Sequence, residues 1–212
     1  LPLSAMQAGA DMAATSVHKL GGSMTGSSVL NVRDGLISPK RVQSVLSMLT
    51  TTSTSYTLLA SLDTARRQLA IHGHDLLDVA IRLAKDTRKR INAIPHLTCV
   101  GREKLGSSAT FDMDPTKLLI SVKDLGITGH VAEEWLRHNA NIEVELSDLY
   151  NILCIVTIAD SKKEMNLLIN ALSRLSKEFD SEAAIKEVSV TIPEIPALAM
   201  TPRDAFYAQT ES

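Results

Sequence analysis

The chain has 212 residues, a formal net charge of −2 and 44% hydrophobic residues, a composition typical of a globular protein with one good core or two modest ones. The nearly balanced charge argues against a nucleic-acid or membrane-surface partner, and no apolar run approaches the roughly 18 residues that span a bilayer. The two cysteines, Cys99 and Cys154, lie far apart without metal-ligand spacing. We therefore expect no disulfide, and a reducing cytoplasm is the simplest location.

The first part of the chain is predicted to contain a short strand followed by a helix. Val29–Val32 is an apolar run typical of a strand, and Asp34-Gly35 is a turn signal. Ser38-Pro39 then provides a helix N-cap with proline at the first helical position, and apolar residues recur at helical spacing up to residue 49. The hydroxyl run Thr50–Ser55 follows, and such residues commonly cap the start of a new helix.

Two further amphipathic helices are predicted, the first over about residues 58–73 and the second over about residues 75–94, where Pro95 stops it. The segment His72-Gly73-His74 sits at their junction. Without a third ligand nearby, it favours a solvated turn over a metal site. The basic run Arg88-Lys89-Arg90 is most simply the solvated face of the second helix.

The rest of the chain alternates strands and helices, which predicts a small α/β layer domain over residues 96–180. A capping box of Ser161 and Glu164 marks the start of a helix that reaches about Phe179, and Trp135 is expected in the core. Three prolines after residue 181 indicate an extended connector. The predicted strands are Leu97–Val100, Lys117–Val122, Ile142–Leu146 and Ile152–Ile158, and a further helix is predicted over about residues 129–139.

One lysine, Lys19, lies among small, hydroxyl-bearing and glycine residues, directly after His18. Such surroundings suit a lysine beneath a planar, phosphorylated cofactor, because burial leaves part of the amine neutral and small neighbours permit close approach. Hydroxyls and free N–H groups can hold the phosphate, and Ser16 is a candidate for that role. The pattern predicts a Schiff base between Lys19 and pyridoxal 5'-phosphate. A surface lysine beside a glycine-rich loop, with a packed His18, is the alternative.

Ser16-Val17-His18-Lys19, followed by residues 21–28, resembles the cofactor-lysine segment of the fold-type-I ornithine/lysine/arginine decarboxylases, and in particular the arginine decarboxylases of Gram-positive bacteria. Further blocks resemble the same family in the same order and extend over nearly the whole chain. The sequence departs from the family pattern at Gly26, where we expect a glutamine. The further blocks are residues 49–56, 60–63, 126–129, 144–151 and 202–206.

The resemblance implies an α/β fold in which residues 1–95 are the C-terminal part of a PLP-binding, transferase-like large domain. Residues 96–180 would form the small α/β domain, and residues 181–212 would connect to a further C-terminal segment. It also implies decarboxylation of a basic amino acid, arginine to agmatine first and lysine or ornithine next, in polyamine biosynthesis. On this interpretation the chain is a fragment of an enzyme more than twice as long, and it is inactive when isolated.

The resemblance also assigns roles to particular residues. Lys19 would carry the cofactor, and Lys19 or His18 would return a proton to the substrate carbon. In this family the stretch that corresponds to Thr51, Thr52 and Ser53 approaches the cofactor of the partner subunit, which implies a homodimer with a shared active site.

Glu145 and Asp148 flank Leu146-Ser147 at the end of a predicted strand and are candidates for binding the cationic side chain of the substrate. Solvated or loop-capping carboxylates are the alternative for this pair.

Two other functions stay open at this stage. The chain could belong to another fold-type-I enzyme, such as an aminotransferase or a carbon–sulfur lyase. An aminotransferase usually fixes the substrate carboxylate with a small-domain arginine, and none lies in the predicted strands, although Arg137 is close in sequence. The second alternative is an inert fragment or an assembly module.

Overall fold

A computed structural model describes residues 2–106, 110–179 and 193–209 of the chain. Six helices and six strands form within these ranges, together with two short 3₁₀ turns at Arg102–Lys104 and Lys123–Leu125. The predicted mixed α/β architecture is confirmed. In chain order the elements are β1 (Met12–Thr15), α1 (Val17–Leu20), β2 (Val29–Val32), α2 (Pro39–Leu49), α3 (Tyr56–Ile91), β3 (Thr98–Cys99), β4 (Lys117–Ser121), α4 (Gly129–Ala140), β5 (Leu146–Ser147), β6 (Asn151–Ile155), α5 (Lys162–Glu178) and α6 (Pro202–Tyr207).

The strands form two antiparallel sheets. β1 pairs with β2 alone, whereas the larger sheet has the strand order β3-β4-β6-β5. Alternate residues of its two central strands are fully or almost fully buried, including Leu118, Ile120 and Ile152. The end of α3, together with α4 and α5, packs on this buried face and completes one hydrophobic core. Trp135 lies in that core, as its position in an amphipathic helix predicts.

The predicted break at His72-Gly73-His74 is wrong, because α3 runs without interruption from Tyr56 to Ile91. Glycine inside a helix costs only about 1 kcal/mol relative to alanine, and good helix formers on both sides absorb that cost. Both histidines are therefore exposed on a helix and not in a turn. Within the described residues no group of three or more metal-ligating side chains forms.

Helix starts follow the predicted caps closely. The Ser38 hydroxyl accepts a hydrogen bond from the Arg41 N–H at the start of α2, where Pro39 is the first helical residue. The Ser161–Glu164 capping box is complete in both directions at the start of α5. These signals are local in sequence, so they do not depend on how the rest of the chain packs.

The last strands differ from the prediction in extent. Asn141 ends α4 in the left-handed conformation, with φ of 52°, and the Ile142 N–H bonds back to the Leu136 carbonyl. The strand predicted from residue 142 is consequently reduced to Leu146–Ser147. In the predicted connector, residues 180–192 and 210–212 lie outside the described ranges, and Pro202 begins α6 where extended chain was expected.

The basic run Arg88-Lys89-Arg90 predicted a solvated helix face, but Arg88 does not fit that prediction. Its guanidinium is half-buried and donates hydrogen bonds to the carbonyls of Val100 at 2.8 Å, Pro115 at 3.2 Å and Lys117 at 2.7 Å. One side chain on α3 thereby holds the segment after β3 and the start of β4. Since α3 also contributes Ala84 and Ile91 to the main core, the division of the chain at residues 95 and 96 stays a prediction.

Cys99 and Cys154 are both free and buried. Burial raises the pKa of the Cys99 thiol to about 11 and that of the Cys154 thiol to about 12. Neither thiol is therefore an activated nucleophile at neutral pH. Among the described helices, none combines the length and the apolar character needed to cross a bilayer.

Candidate active site

The candidate cofactor lysine lies between two paired strands. β1 and β2 are antiparallel, and Thr15 lies opposite Val29 at the end next to the site. The chain between them forms the single helical turn α1 and then a loop at residues 21–28. The strand pair therefore fixes both ends of the segment that carries Lys19.

Hydrogen bonds hold the loop in one conformation. His18 donates both its backbone N–H, at 3.3 Å, and its Nδ1–H, at 2.7 Å, to the Ser27 carbonyl. The buried hydroxyls of Ser23 and Ser27 lie 2.5 Å apart, and Ser27 also donates to the Met24 carbonyl at 2.7 Å. Because Nδ1 carries the proton in this arrangement, the Nε2 atom of a neutral His18 is a hydrogen-bond acceptor.

Two glycines of this segment are required by geometry. A Cβ at Gly21 would lie 2.7 Å from the Val17 carbonyl oxygen, which is backbone and cannot rotate away. Gly26 has φ of +96°, a conformation that side chains rarely adopt. The departure from the family pattern at Gly26 thus has a conformational basis in this chain, since a glutamine would be strained there.

Lys19 and Ser16 are both exposed. Within the described ranges the Lys19 amine makes no hydrogen bond or ion pair, and the Ser16 hydroxyl does not cap α1. The described part of this chain therefore does not by itself provide the desolvation expected around Lys19. Both groups are free to bind a ligand.

The hydroxyl run before α3 has a mixed role. Ser55 caps the start of α3 by accepting from the Leu58 N–H, so the capping interpretation is correct for that residue, whereas Thr50 donates to the Leu46 carbonyl at the end of α2. In the middle, the Thr51 hydroxyl accepts from the Ser53 N–H. Across the described ranges, no hydrogen bond joins residues 51–53 to Ser16, His18 or Lys19.

The two candidate substrate carboxylates differ in their surroundings. The Asp148 carboxylate accepts hydrogen bonds from the N–H groups of Tyr150 and Asn151, each at 2.7 Å, and from the Asn151 amide. Burial favours its neutral form, but these donors outweigh burial and lower the pKa of Asp148. Glu145 is exposed, and its carboxylate has no partner within the described ranges. The loop-capping role considered for this pair is thus occupied by Asp148 alone.

Sequence inspection missed a polar network that joins α4 to the strand segment around Glu145. The Ser147 hydroxyl donates a short hydrogen bond to Glu133, and His130 Nδ1 lies 2.8 Å from the same hydroxyl. Arg137 contacts Glu133 at 2.8 Å and Glu143 at 2.9 Å. The spacing of 130, 133 and 137 places these residues on one helix face and could have indicated that side of the network.

The polar groups of the network stabilise one another's charged forms. The Ser147 hydrogen bond is the largest influence on Glu133 and lowers the pKa of that carboxyl, and the Arg137 hydrogen bond does the same for Glu143. The two carboxylates in turn raise the pKa of Arg137. Arg137 is thus held as a charged residue between two acidic partners.

Comparison with known proteins gives a family match over residues 1–164, to the model described as Orn/Lys/Arg decarboxylase, major domain. The whole chain is 66% identical to an arginine decarboxylase of Halalkalibacterium halodurans and 61% identical to one of Bacillus subtilis, and it covers 43% of each. The chain therefore spans less than half the length of these relatives.

Solved structures show the same fold at low sequence identity. The lysine decarboxylase of Francisella novicida matches with a TM-score of 0.68 at 23% identity, over 79% of this chain and 28% of that one. The constitutive lysine decarboxylase of E. coli matches with a TM-score of 0.67 at 20% identity, over 80% of this chain and 28% of that one.

Proposed function

The chain belongs to the Orn/Lys/Arg decarboxylase family, and from that premise we propose that it is the lysine-bearing part of a PLP-dependent decarboxylase of basic amino acids, with arginine as the first substrate and lysine and ornithine next. The observation that carries the proposal is the Lys19 segment, a free amine on a short turn fixed between paired strands. The arginine specificity rests on the identity of 61–66% to arginine decarboxylases.

The donor set of the segment fits this cofactor. A free primary amine can bind an aldehyde, and the unengaged Ser16 hydroxyl beside it can donate to a phosphate oxygen. Lys19, Ser16 and His18 would hold the cofactor from this chain. When bound, pyridoxal phosphate supplies an electron sink for the bond that breaks as carbon dioxide leaves.

His18 is suited to moving a proton beside Lys19. Its Nδ1–H is committed to the Ser27 carbonyl, which fixes the ring and leaves Nε2 as the acceptor. Lys19 itself, one residue further along α1, is the second group that could deliver a proton to the substrate carbon. We assign the catalytic roles of this chain to Lys19 and His18.

The segment of Thr51, Thr52 and Ser53 is proposed to act on the cofactor of a second subunit in a homodimer with a shared active site. Its lack of hydrogen bonds to the Lys19 segment of the same chain supports this arrangement. The Thr52 hydroxyl has no partner within the described ranges, so it is available for a phosphate.

Glu145 and Asp148 are proposed to face the cationic side chain of the substrate. A guanidinium or ammonium group requires a carboxylate partner. Of the two, Glu145 is the residue with unengaged oxygens, whereas Asp148 already binds the backbone of its own turn.

An aminotransferase is disfavoured by the state of Arg137. That side chain lies close in sequence to the predicted strand that begins at Ile142, and both Glu133 and Glu143 already bind it. A substrate carboxylate would have to displace one of these partners.

We further propose that the protein is located in the cytoplasm and has a role in polyamine biosynthesis.

The test is cofactor trapping on the chain alone and on the full-length protein that carries it. Each is mixed with pyridoxal phosphate, its visible spectrum is recorded, and the adduct is reduced with borohydride and mapped by mass spectrometry. We expect label on Lys19 and loss of the absorbance band in Lys19→Ala, with Lys40→Ala as the matched control. Label on a different lysine, or no band in the full-length protein, would refute the proposal.

Product analysis separates the rival chemistries. With the full-length protein, arginine should give the amine agmatine, whereas an aminotransferase gives a keto acid. A band in the full-length protein without one in the isolated chain would show that the cofactor pocket requires further residues. Full activity in the isolated chain would contradict the expectation that this part is inactive by itself.

A further inference from the structure

We infer that α4 acts as a clamp that presents the Glu145 carboxylate to the cationic end of the substrate, with His130, Glu133, Arg137 and Ser147 as positioning residues. This inference rests on the proposed function, because it assigns the substrate contact to one residue and its support to a network that carries no assigned role.

The clamp holds the chain on both sides of Glu145. Two residues before it, the Glu143 carboxylate accepts hydrogen bonds from Arg137 Nε at 2.9 and 3.0 Å. Two residues after it, the Ser147 hydroxyl donates to Glu133 and lies 2.8 Å from His130. All of these partners belong to α4, so one rigid helix fixes both flanks of Glu145.

The backbone of Glu145 is held independently. Its N–H donates to the Leu153 carbonyl at 2.8 Å, which ties it to β6 in the centre of the sheet. The next residues pair in register, with Leu146 opposite Leu153 and Ser147 opposite Ile152. The position of Glu145 is therefore fixed by strand pairing as well as by the two clamped flanks.

Glu145 lies at a bend just before β5, and Glu143 and Ser147 lie two residues away on either side of it. Ser147 lies opposite Ile152, whose side chain faces the helices. Of these three side chains, the outer two bind α4 and the middle one has no partner within the described ranges. A fixed backbone with an unengaged carboxylate is preorganised to bind a cation without losing other contacts.

The hydrogen-bond directions show how Ser147 works in the network. Its single hydroxyl proton goes to Glu133, so His130 must donate its Nδ1–H to the Ser147 oxygen. Glu133 also binds Arg137, which binds Glu143. The network thus links the two flanks of Glu145 through one continuous path of charge-assisted hydrogen bonds.

Close packing reinforces the clamp at the start of α4. A Cβ placed on Gly129 would lie 2.1 Å from the Asn151 carbonyl oxygen and 2.5 Å from that of Asp148. Only a glycine lets the helix come this close to the turn that follows Ser147. The close contact between α4 and this turn therefore stabilises the same arrangement as the hydrogen-bond network.

The test uses steady-state kinetics of the full-length protein with its preferred basic amino acid. Glu145→Gln should raise KM about tenfold or more, because a charge-assisted contact is lost, with a smaller change in kcat. Ser147→Ala should raise KM about threefold to tenfold, and Ser147→Thr, which keeps the hydroxyl, should restore it. Ser173→Ala, on α5, is the matched control and should leave both constants unchanged.

Two further readouts separate positioning from general loss of structure. The inhibition constant of norleucine, which has no side-chain charge, should be unchanged in both variants. The double variant of Ser147→Ala and Glu145→Gln should have the KM of Glu145→Gln alone, because the clamp acts only through that carboxylate.

The outcomes distinguish this inference from the proposed function. A wild-type protein that decarboxylates no basic amino acid would refute the proposed function and the inference with it. An active wild type with an unchanged KM in Glu145→Gln would leave the decarboxylase intact and overturn the inference. Additive effects in the double variant, or a weakened inhibition by norleucine, would likewise overturn it, since the clamp would then be merely structural.

Discussion

Replacing Gly129 by alanine tests the close contact between α4 and the turn at residues 148–151. The added Cβ would lie 2.1 and 2.5 Å from two backbone carbonyl oxygens, so the helix or the turn must move. Such overpacking costs about 1–3 kcal/mol, whereas the gain in helix propensity is at most about 1 kcal/mol. We expect the free energy of unfolding to fall by about 1–2 kcal/mol, measured by urea denaturation with circular dichroism.

Gly73→Ala is the matched control within the same chain. Its added Cβ would lie 3.6 and 3.7 Å from Leu69, which is ordinary contact, and it sits inside α3. We expect this variant to raise the free energy of unfolding by about 0.5–1 kcal/mol. A Gly129→Ala variant as stable as the wild type would refute the described packing of α4. Destabilisation by Gly73→Ala would instead favour a break in α3 at that residue.

Three other predictions follow from single contacts. Arg88→Lys should lower the free energy of unfolding by about 1–3 kcal/mol, because a single ammonium nitrogen cannot occupy the positions of the three guanidinium nitrogens that reach the three carbonyls; chemical denaturation measures this. Ser161→Ala should cost about 1 kcal/mol through loss of the α5 capping box, seen in the same assay. Asp148→Asn should make the free energy of unfolding fall less steeply as the pH is lowered. The pKa of Asp148 is lowered in the folded protein, so its charge stabilises the fold at a pH above its ordinary pKa. That stabilisation is lost as the pH falls through the lowered pKa.

The first two of these have a control variant on the same element or of the same residue type. Lys89→Arg, on the exposed side of α3, should leave stability unchanged, and an equal loss in both variants would contradict the role of Arg88. Ser47→Ala, inside α2, should not destabilise, since its hydroxyl bonds only its own helix. Denaturation midpoints of wild type and Asp148→Asn that fall in parallel between pH 7 and about pH 3 would rule out the Asp148 contribution.

Local signals predicted the helix starts, because the atoms that satisfy a helix N-terminus come from the same few residues. Ser38, Ser55 and Ser161 all cap the helices that follow them. Helix ends were harder to predict. Gly73 resembles a terminator in sequence, yet the segments on either side of it favour helix strongly enough to continue through it, and sequence alone does not rank these two tendencies.

The residues of the candidate site also differ in how far the sequence alone predicts them. Lys19 could be located because its small and hydroxyl-bearing neighbours are adjacent in sequence. The network of His130, Glu133, Arg137 and Ser147 could not, because it depends on how β5 docks against α4. Arg88 is a similar case. A basic run predicts a solvent-exposed helix face, and only the path of β3 and β4 places three carbonyls around the Arg88 guanidinium.

The distribution of buried residues explains why the Lys19 segment looks incomplete as a pocket. Between residues 2 and 72 only Ser23, Ser27 and Ala65 are buried, although the apolar spacing of α2 and α3 predicts faces that pack against something. Leu49 is 79% exposed and Tyr56 is 85% exposed. A lysine that must be partly desolvated cannot obtain that from a segment without a core of its own. If the proposed decarboxylase chemistry holds, the covering surface must come from a second subunit or from further residues of the full-length protein, and that is why trapping at Lys19 has to be compared between the chain and the full-length form.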